Sequence, residues 1–330
     1  MDHCFGSGIH GILDSVMAAN YTLIKSGMEP LFEWDTVSLD GQAVTPINGL
    51  KITPDYSLEA YRKKKTKPDI WIFPSVFHSS TGYARIEQTL KKSEPMIEVV
   101  KAHHARGGLL VSICSGSFLL AKSGLMDNHP ALMHWKSEPH FHRMFPQIKI
   151  DTHQAIADYG QIISTIGGSM ACEHLVMHLV KRFAGHRIAV DTAKLLMMDL
   201  NIGAPQAFRD PFDNVDHSDE LVSRAQRDIE KNCSSEFSFA RLSNQLNISD
   251  RQLNRRFKQS LRCSPLQYLQ KIRLKRACHY LELTQLPSSK IVYEVGYQDE
   301  SSFRRFFKKQ MDMTMEDYRK QFGSRPQARH

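Results

Sequence analysis

The sequence has no run of about eighteen apolar residues, so it offers no helix of membrane-spanning length. Its opening, Met1-Asp2-His3-Cys4-Phe5-Gly6, shows no basic segment followed by an apolar core, and the expected compartment is the cytoplasm. None of its six cysteines forms a CxxC pair, so a zinc site is not expected and free thiols in a reducing compartment are. HExxH is missing too: His174 and His178 stand at i, i+4, but Glu173 precedes His174 instead of following it. His103-His104, and His140 and His142 near His134, supply no third ligand at metal spacing, so no metal and no cofactor is expected. Net charge is lacking over the first 218 residues, which hold 21 basic and 22 acidic side chains.

The basic excess lies elsewhere. The chain's formal charge is +8, and residues 219–330 carry 22 Lys+Arg against 13 Asp+Glu. That asymmetry points to a nucleic-acid partner for the C-terminal third alone, with a merely solvated basic surface as the competing reading. With 330 residues, 41% apolar and 24% charged, the chain has room for two or three domains with real cores, which excludes wholesale disorder.

The same third holds one pattern written twice, between Ser238 and Phe322. At an offset of fifty, Leu253 meets Phe303, Arg255 meets Arg305, Phe257 meets Phe307, Ser264 meets Thr314 and Tyr268 meets Tyr318. Upstream the offset is forty-nine, so Leu242 meets Ile291 and Leu246 meets Val295; the extra residue falls near Gln298-Asp299 and belongs in a turn. Each copy therefore reads as helix, turn, helix, and two copies are too few for a solenoid. In the first, Phe239–Gln245 leads through Asn247-Ile248 to a helix over Asp250–Ser260 with Ser249 as N-cap. A long helix then starts at Ser264-Pro265 and runs to Leu283. In the second, Lys290–Val295 leads through Gly296–Asp299 to Glu300–Gln310. Leu253 and Phe257, and Phe303, Phe306 and Phe307, face inward. Arg251, Asn254, Arg255 and Lys258, and Ser301, Arg304, Arg305 and Lys308, face outward, where arginine and asparagine suit base edges and lysine suits phosphates.

Residues 1–185 alternate short apolar runs with helical patterns, an α/β arrangement. The expected elements are a helix over Gly11–Ser26 with Ile12, Leu13, Val16, Met17, Leu23 and Ile24 on one side, and a strand over Leu31–Leu39. A turn follows at Asp40-Gly41, then a hairpin over Val44–Ile52 around Asn48-Gly49, a strand over Asp69–Phe73 and a single helix over Glu87–Ala105. Leu109–Ile113 is an apolar strand that runs straight into Cys114-Ser115-Gly116-Ser117 and a helix. Such a turn presents one side chain at the C-terminal edge of a sheet, near a helix N-terminus that favours thiolate. Gln161–Ile166 is a further strand, Gly167-Gly168 a turn and Ser169–Phe183 an amphipathic helix. A short helix over Asp191–Leu200, breaks at Gly203-Ala204-Pro205 and Pro211-Phe212-Asp213-Asn214, and a helix over Asp219–Lys231 complete the connection.

Strand-Cys114-Ser115-Gly116-Ser117-helix, then Gly124-Leu125-Met126-Asp127, Met133-His134-Trp135 and Ile163-Ser164-Thr165-Ile166-Gly167-Gly168, resembles the DJ-1/PfpI-like, class I glutamine amidotransferase-like domain over residues 5–185. The resemblance implies a flavodoxin-like α/β fold and, in enzymatic relatives, a nucleophilic cysteine assisted by histidine and an acid. Cys114 takes the cysteine position and His134 is the candidate partner. The acid has no counterpart: Ile9 stands in its place, and Asp14 is more than a helical turn away. No catalytic residue is therefore assigned, and Cys114 and His134 are candidates for a ligand pocket.

The C-terminal motif is similar to the AraC/XylS DNA-binding domain: Leu242, Ser249, Leu253, Arg255-x-Phe257, Ser264-Pro265-x-x-Tyr268, Arg273-Leu274-x-x-Ala277, Val295-Gly296-Tyr297-x-Asp299-x-Ser301-x-Phe303-x-x-x-Phe307-Lys308 and Tyr318-Arg319. Ser243 and Val292 stand where each first helix has alanine, Arg262 and Asp312 where a glycine follows each second helix, and Met315 where the family has proline. The resemblance implies an all-α domain with two helix-turn-helix modules that sets two helices in successive major grooves of double-stranded DNA. Arg251, Asn254 and Arg255, and Glu300, Ser301, Ser302 and Arg305, are then the DNA-binding residues.

Both halves together resemble the GlxA-type regulators of bacteria. The expected organisation is a sensor domain over 1–185, a linker over 186–235, a DNA-binding domain over 236–322 and a tail over 323–330. The expected function is a sequence-specific transcription regulator, acting on the nucleoid in the cytoplasm, with a small-molecule effector, RNA polymerase and a second copy of the chain as partners. The rival is a cysteine-dependent hydrolase or amidase fused to a DNA-binding domain.

Overall fold

The computed structural model describes residues 3–76, 83–167, 171–200, 205 and 217–323. The chain divides between Pro205 and Gln206 into two units. The turns expected at Gly203-Ala204 and Pro211–Asn214, together with Gly168, Ser169 and most of the expected tail, lie outside the described residues.

The first unit runs α1 (Gly6–Lys25), β1 (Val37–Ser38), β2 (Tyr56–Ser57), α2 (Leu58–Lys63), β3 (Ile70–Phe73), α3 (Tyr83–Lys92), α4 (Glu94–Ala105), β4 (Leu109–Ile113), α5 (Ser117–Lys122), β5 (Ala131–Leu132), α6 (Glu138–Met144), β6 (Ile150–Asp151), β7 (Ile156–Asp158), β8 (Ile162–Thr165), α7 (Ala171–Ala184) and α8 (His186–Leu195). Its main sheet has the order β3-β4-β8-β7. β3, β4 and β8 are parallel, with Phe73 opposite Ser112 and Ile113 opposite Thr165, and β7 lies antiparallel on β8. All of β4 is buried, as a parallel strand covered on both faces requires, which is why Leu109–Ile113 reads as an apolar run rather than an alternation. The edge is extended at Val76, where Cys4 makes a single antiparallel bridge.

Several expectations are corrected here. The helix expected over Glu87–Ala105 is two helices, parted at Ser93, because Pro95 lies in the first turn of α4 and a proline inside a longer helix would lose a hydrogen bond and clash one turn back. The strand expected over Leu31–Leu39 shrinks to Val37–Ser38, whose neighbour β2 is equally short. The hairpin expected over Val44–Ile52 is present as one antiparallel pair, Val44 with Ile52. α1 begins earlier than expected, and its buried face carries Gly8, Ile12, Ser15, Ala19, Thr22 and Leu23, while Met17 and Ile24 point outward at 58% and 57% exposure. The helix expected over Asp191–Leu200 is α8, which buries Ile188, Ala189, Thr192 and Ala193 against α1 and α7. Residues 186–195 are therefore part of the first unit.

The second unit runs α9 (Glu220–Asn232), α10 (Phe239–Gln245), α11 (Asp250–Leu261), α12 (Pro265–Leu283), α13 (Ser288–Glu294), α14 (Glu300–Met311) and α15 (Met315–Phe322). It has two cores. Val222, Ala225 and Ile229 of α9 join Leu242, Leu253, Phe257, Tyr268 and Ile272 in one. Leu274, Ala277, Cys278 and Leu281 of α12 join Ile291, Val295, Phe303, Phe307 and Tyr318 in the other. α12 thus serves the first core with its first half and the second with its last.

The repeat extends further back than Ser238. Tyr268 donates to Glu230 of α9 at 2.6 Å, and Tyr318 donates to Glu282 of α12 at the same length. α9 therefore holds the place in the first module that α12 holds in the second, and at an offset of fifty-two Val222, Arg224, Ala225, Ile229 and Glu230 meet Leu274, Arg276, Ala277, Leu281 and Glu282.

Candidate nucleic-acid interface and buried-cysteine site

α11 and α14 are built to start sharply. Ser249 accepts from the Gln252 N–H and Gln252 Oε1 accepts from the Ser249 N–H, a reciprocal cap. In the second module Asp299 accepts from the N–H groups of Ser301 and Ser302. The caps fix where each helix begins, and so which side chains occupy its first turns. Inward, Leu253 and Phe257, and Phe303 and Phe307, are at most 1% exposed. Phe306, expected inward, is only partly buried and lies against the Tyr297 ring.

Outward, the structure presents Arg251, Asn254 and Arg255 on α11 and Ser301, Ser302 and Arg305 on α14, all exposed. Two residues of α14 behave differently from expectation. Arg304, expected to face outward, is half-buried and gripped by Glu300 at 2.7 Å and Glu316 at 2.8 Å. Glu300 is accordingly committed to Arg304, and its carboxylate is half-buried. Asn254 donates to the Asp250 carbonyl of its own helix at 3.0 Å and must leave that bond to reach another acceptor.

The modules meet through the bend before α10 and the turn before α14. Arg273, on α12, donates to the Cys233 carbonyl at 2.8 Å and the Ser235 carbonyl at 3.0 Å, with its guanidinium 5.2 Å from the centre of the Tyr297 ring. Gly296, at φ +91°, leaves no room for a side chain: an added Cβ would lie 2.7 Å from the Cys233 carbonyl oxygen. Nearer the start of the unit, Asp219 caps α9 and holds Arg256 of α11 at 2.9 Å. Burial opposes the ionised Asp219 carboxylate, but the Val222 N–H, Arg256 and the Leu221 N–H together hold its pKa below the ordinary value.

In the first unit the C-terminal edge of the parallel strands gathers Ser75, Cys114, Ser115 and Gly167. Cys114 adopts φ +52°, the conformation of a sharp strand-to-helix turn, and is buried. Ser115 donates to the Val76 carbonyl and accepts from the Val76 N–H, pinning the turn to the next strand edge. Gly167, at φ +85°, passes so close that an added Cβ would lie 2.4 Å from that of Cys114. His134 is half-exposed, stacks on Trp135 with ring centres 3.7 Å apart, and caps a short helical turn by accepting from the Lys136 N–H.

The expectation that the helix terminus favours a thiolate at Cys114 is overturned. Burial pushes this thiol's pKa upward, and hydrogen bonds involving the His134 backbone, Ser75, Ser115 and Ser137 offset it only partly. Cys172 is pushed up to about 12 by burial, with the Glu173 carboxylate and Cys114 adding to the effect. Glu173 brings a carboxylate beside Cys172, not beside Cys114, and no residue near Ile9 or Asp14 does so. Glu173 comes from α7, and an added Cβ at Gly11 would lie 2.6 Å from its Oε1; one turn earlier, an added Cβ at Gly8 would lie 2.9 Å from Cys172 Sγ. Among the described residues, Glu173 Oε2 is buried without a hydrogen-bond partner. The available signal was the pair Gly8 and Gly11 on one helix face, which marks the close approach of another element.

The metal-capable pair divides. His178 donates to Asp158 at 2.8 Å, beside Arg182, whereas His174 donates to the Asp199 carbonyl at 2.8 Å. Among the described residues no group of three or more His, Cys, Asp or Glu side chains could hold a metal ion. His103 is buried, accepts from Arg106 and donates to the Leu109 carbonyl.

Residues 22–144 match the DJ-1/PfpI family and residues 242–321 match a helix-turn-helix domain. The chain is 25% identical over 318 residues to the HTH-type transcriptional regulator GbdR of Pseudomonas aeruginosa, covering 91% of this chain and 82% of that one. It is 25% identical over 226 residues to the HTH-type transcriptional regulator GlxA of Rhizobium meliloti, covering 64% of this chain and 65% of that one. A solved AraC family transcriptional regulator from Pseudomonas putida aligns over 59% of this chain and 95% of its own, at 19% identity and a TM-score of 0.46. The chain thus carries a DJ-1/PfpI domain followed by an AraC-type helix-turn-helix domain, and over most of its length it is similar to HTH-type transcriptional regulators.

Proposed function

We propose that the chain is a sequence-specific DNA-binding transcription regulator whose first unit binds a small metabolite beside Cys114 and His134. One observation carries the reading: the two modules present capped helices, α11 and α14, whose inner faces are buried and whose outer faces carry Arg251, Asn254, Arg255, Ser301, Ser302 and Arg305. Arginine and asparagine match the acceptor and donor edges of guanine and adenine, and the short serines let the backbone approach phosphates. Glu300 enters this reading as a brace for Arg304. A metabolite alters DNA binding by favouring one of two states of the chain, which requires unequal affinity for them.

The non-catalytic reading of Cys114 draws support from its burial, because a hydrolase nucleophile needs its thiolate near neutral pH. A second copy of the chain is part of the proposal. Met17, Tyr21 and Ile24 form an apolar stripe down the outer face of α1, each at least 50% exposed, opposite the face that packs on α7 and α8, and the exposed Met28 follows just past the helix end. A helix apolar on both faces is one that gets covered on both. The pairing also has complementary charge: Asp14 and Lys25 flank the same side of the stripe, so two antiparallel copies of α1 bring each Asp14 beside the other copy's Lys25. RNA polymerase contact and action on the nucleoid belong to the same reading.

The test is footprinting of the full chain across the DNA flanking its own gene, with and without candidate metabolites, for the unmodified protein and Cys114→Ala. A protected site whose strength changes with one metabolite supports the proposal. Absence of any protected site overturns the DNA-binding reading, and a hydrolysis lost in Cys114→Ala favours the hydrolase.

A further inference from the structure

The two modules share one helix and little else. Their cores are separate, and α12, at 19 residues, is a rod of about 28 Å that joins them. A rod alone leaves the modules free to twist and bend about its middle. Two helices can enter successive major grooves only if their separation and phase match the duplex, where one turn takes about 10 base pairs and 34 Å. Something must therefore brace the modules directly.

The bracing residue is in the middle of α12. Arg273 reaches back to the first module, donating to the Cys233 and Ser235 carbonyls, and lies against Tyr297 in the turn that leads into α14. Arg276, one turn on, holds the same segment by donating to Ser234 and the Glu230 carbonyl. Gly296 completes the contact, since its missing side chain admits the Cys233 carbonyl and Ser234 against the second module. The end of α9 and the start of the α14 turn are thereby held against each other, with a guanidinium between them. These contacts touch neither α11 nor α14.

We propose that Arg273, seated against Gly296 and Tyr297, is a positioning residue that sets the spacing and phase of α11 and α14, and so fixes the distance between the two half-sites the chain accepts in DNA. The inference rests on the reading of those two helices as the groove-reading pair. Lysine cannot replace Arg273: it keeps the charge, but lacks the planar fork that serves two carbonyls and stacks on a ring.

The probe is a duplex selected from a random-sequence library by the full-length, unmodified chain. Variants of it carry one or two base pairs inserted between the contacted half-sites, each turning the halves apart by about 35°. The unmodified chain is expected to lose about tenfold or more in affinity for the two-base-pair insertion. Arg273→Ala and Arg273→Lys are expected to bind the parent duplex more weakly but to discriminate against the insertions by less than about threefold, with melting showing that each variant is folded. Gly296→Ala provides a second route to the same loss. If folded Arg273 variants keep the full spacing preference, the proposal is overturned. It is equally overturned if Arg273→Ala lowers the salt slope by about one unit with the spacing preference intact, since that marks a phosphate contact. If the unmodified chain selects no duplex at all, the DNA-binding reading itself fails, which separates the two outcomes.

Discussion

Arg262 and Asp312 follow α11 and α14 in the left-handed region, at φ +54° and +56°. Both stand where the family resemblance calls for glycine, and the structure shows why glycine is preferred there: only it enters that region without a Cβ clash. Arg262→Gly and Asp312→Gly should each raise stability by about 1 kcal/mol, read as a higher melting temperature; a lower one contradicts the strain. Ser243 stands at an alanine position and is 2% exposed, and its hydroxyl has no hydrogen-bond partner among the described residues, so Ser243→Ala should also stabilise, by about 1 kcal/mol. At the interface, Arg305→Ala and Asn254→Ala should each cost about 1–3 kcal/mol at the cognate base and relax preference there. Selection of bound sequences from a library checks this; unchanged sequence preferences in both variants would refute the groove assignment. The residue-scale lesson is that type and exposure were legible while commitments were not. Arg304 looked like Arg305 in the repeat, and only the fold brought Glu316 from α15 to claim it.

At the scale of elements, helices with strong local signals were legible. α11 and α12 show their caps in the sequence, Ser249 with Gln252 and Ser264 with Gln267, and both caps are present. Short strands were not, because a two-residue strand such as β1 carries no periodicity and depends on its neighbour β2. The outward face of α1 was misassigned for a related reason. Apolar residues occur on two opposite faces, so periodicity alone does not tell which face packs inside the chain. If the outer face joins two copies, Met17→Asp together with Ile24→Asp should convert a sedimenting dimer to a monomer while leaving the melting of the first unit near its original value. A dimer that survives the double substitution excludes α1 as the contact.

For the whole molecule, two titrations test the arrangement. Cys114 and Cys172 both have folded-state pKa values above those of free thiols, so both favour the protonated form in the folded state. The stability they contribute is complete below about pH 8.5, the ordinary thiol value, and declines as pH rises toward the folded value of about 12 for Cys172. Denaturation midpoints of the full chain should fall from pH 8.5 upward, less steeply in Cys172→Ala; native thiols should also react slowly with a disulfide reagent at pH 8. Rapid labelling of Cys114 would contradict its burial. DNA affinity, by contrast, should fall steeply with salt, because the second unit carries the chain's basic surplus and each neutralised phosphate releases counterions.

The sequence alone determined the repeat, the charge asymmetry, the sharp turn at Cys114 and most of the outward-facing side chains of α11 and α14. Each follows from residues within a few positions of one another, or from copies of one local pattern. Tertiary structure decided the rest: that α8 belongs to the first unit, that Glu173 rather than any residue of α1 brings a carboxylate beside Cys172, and that Arg273 bridges two modules. Those outcomes depend on which surfaces meet across tens of residues, and burial, close backbone approach and shared hydrogen bonds come into being only when they do.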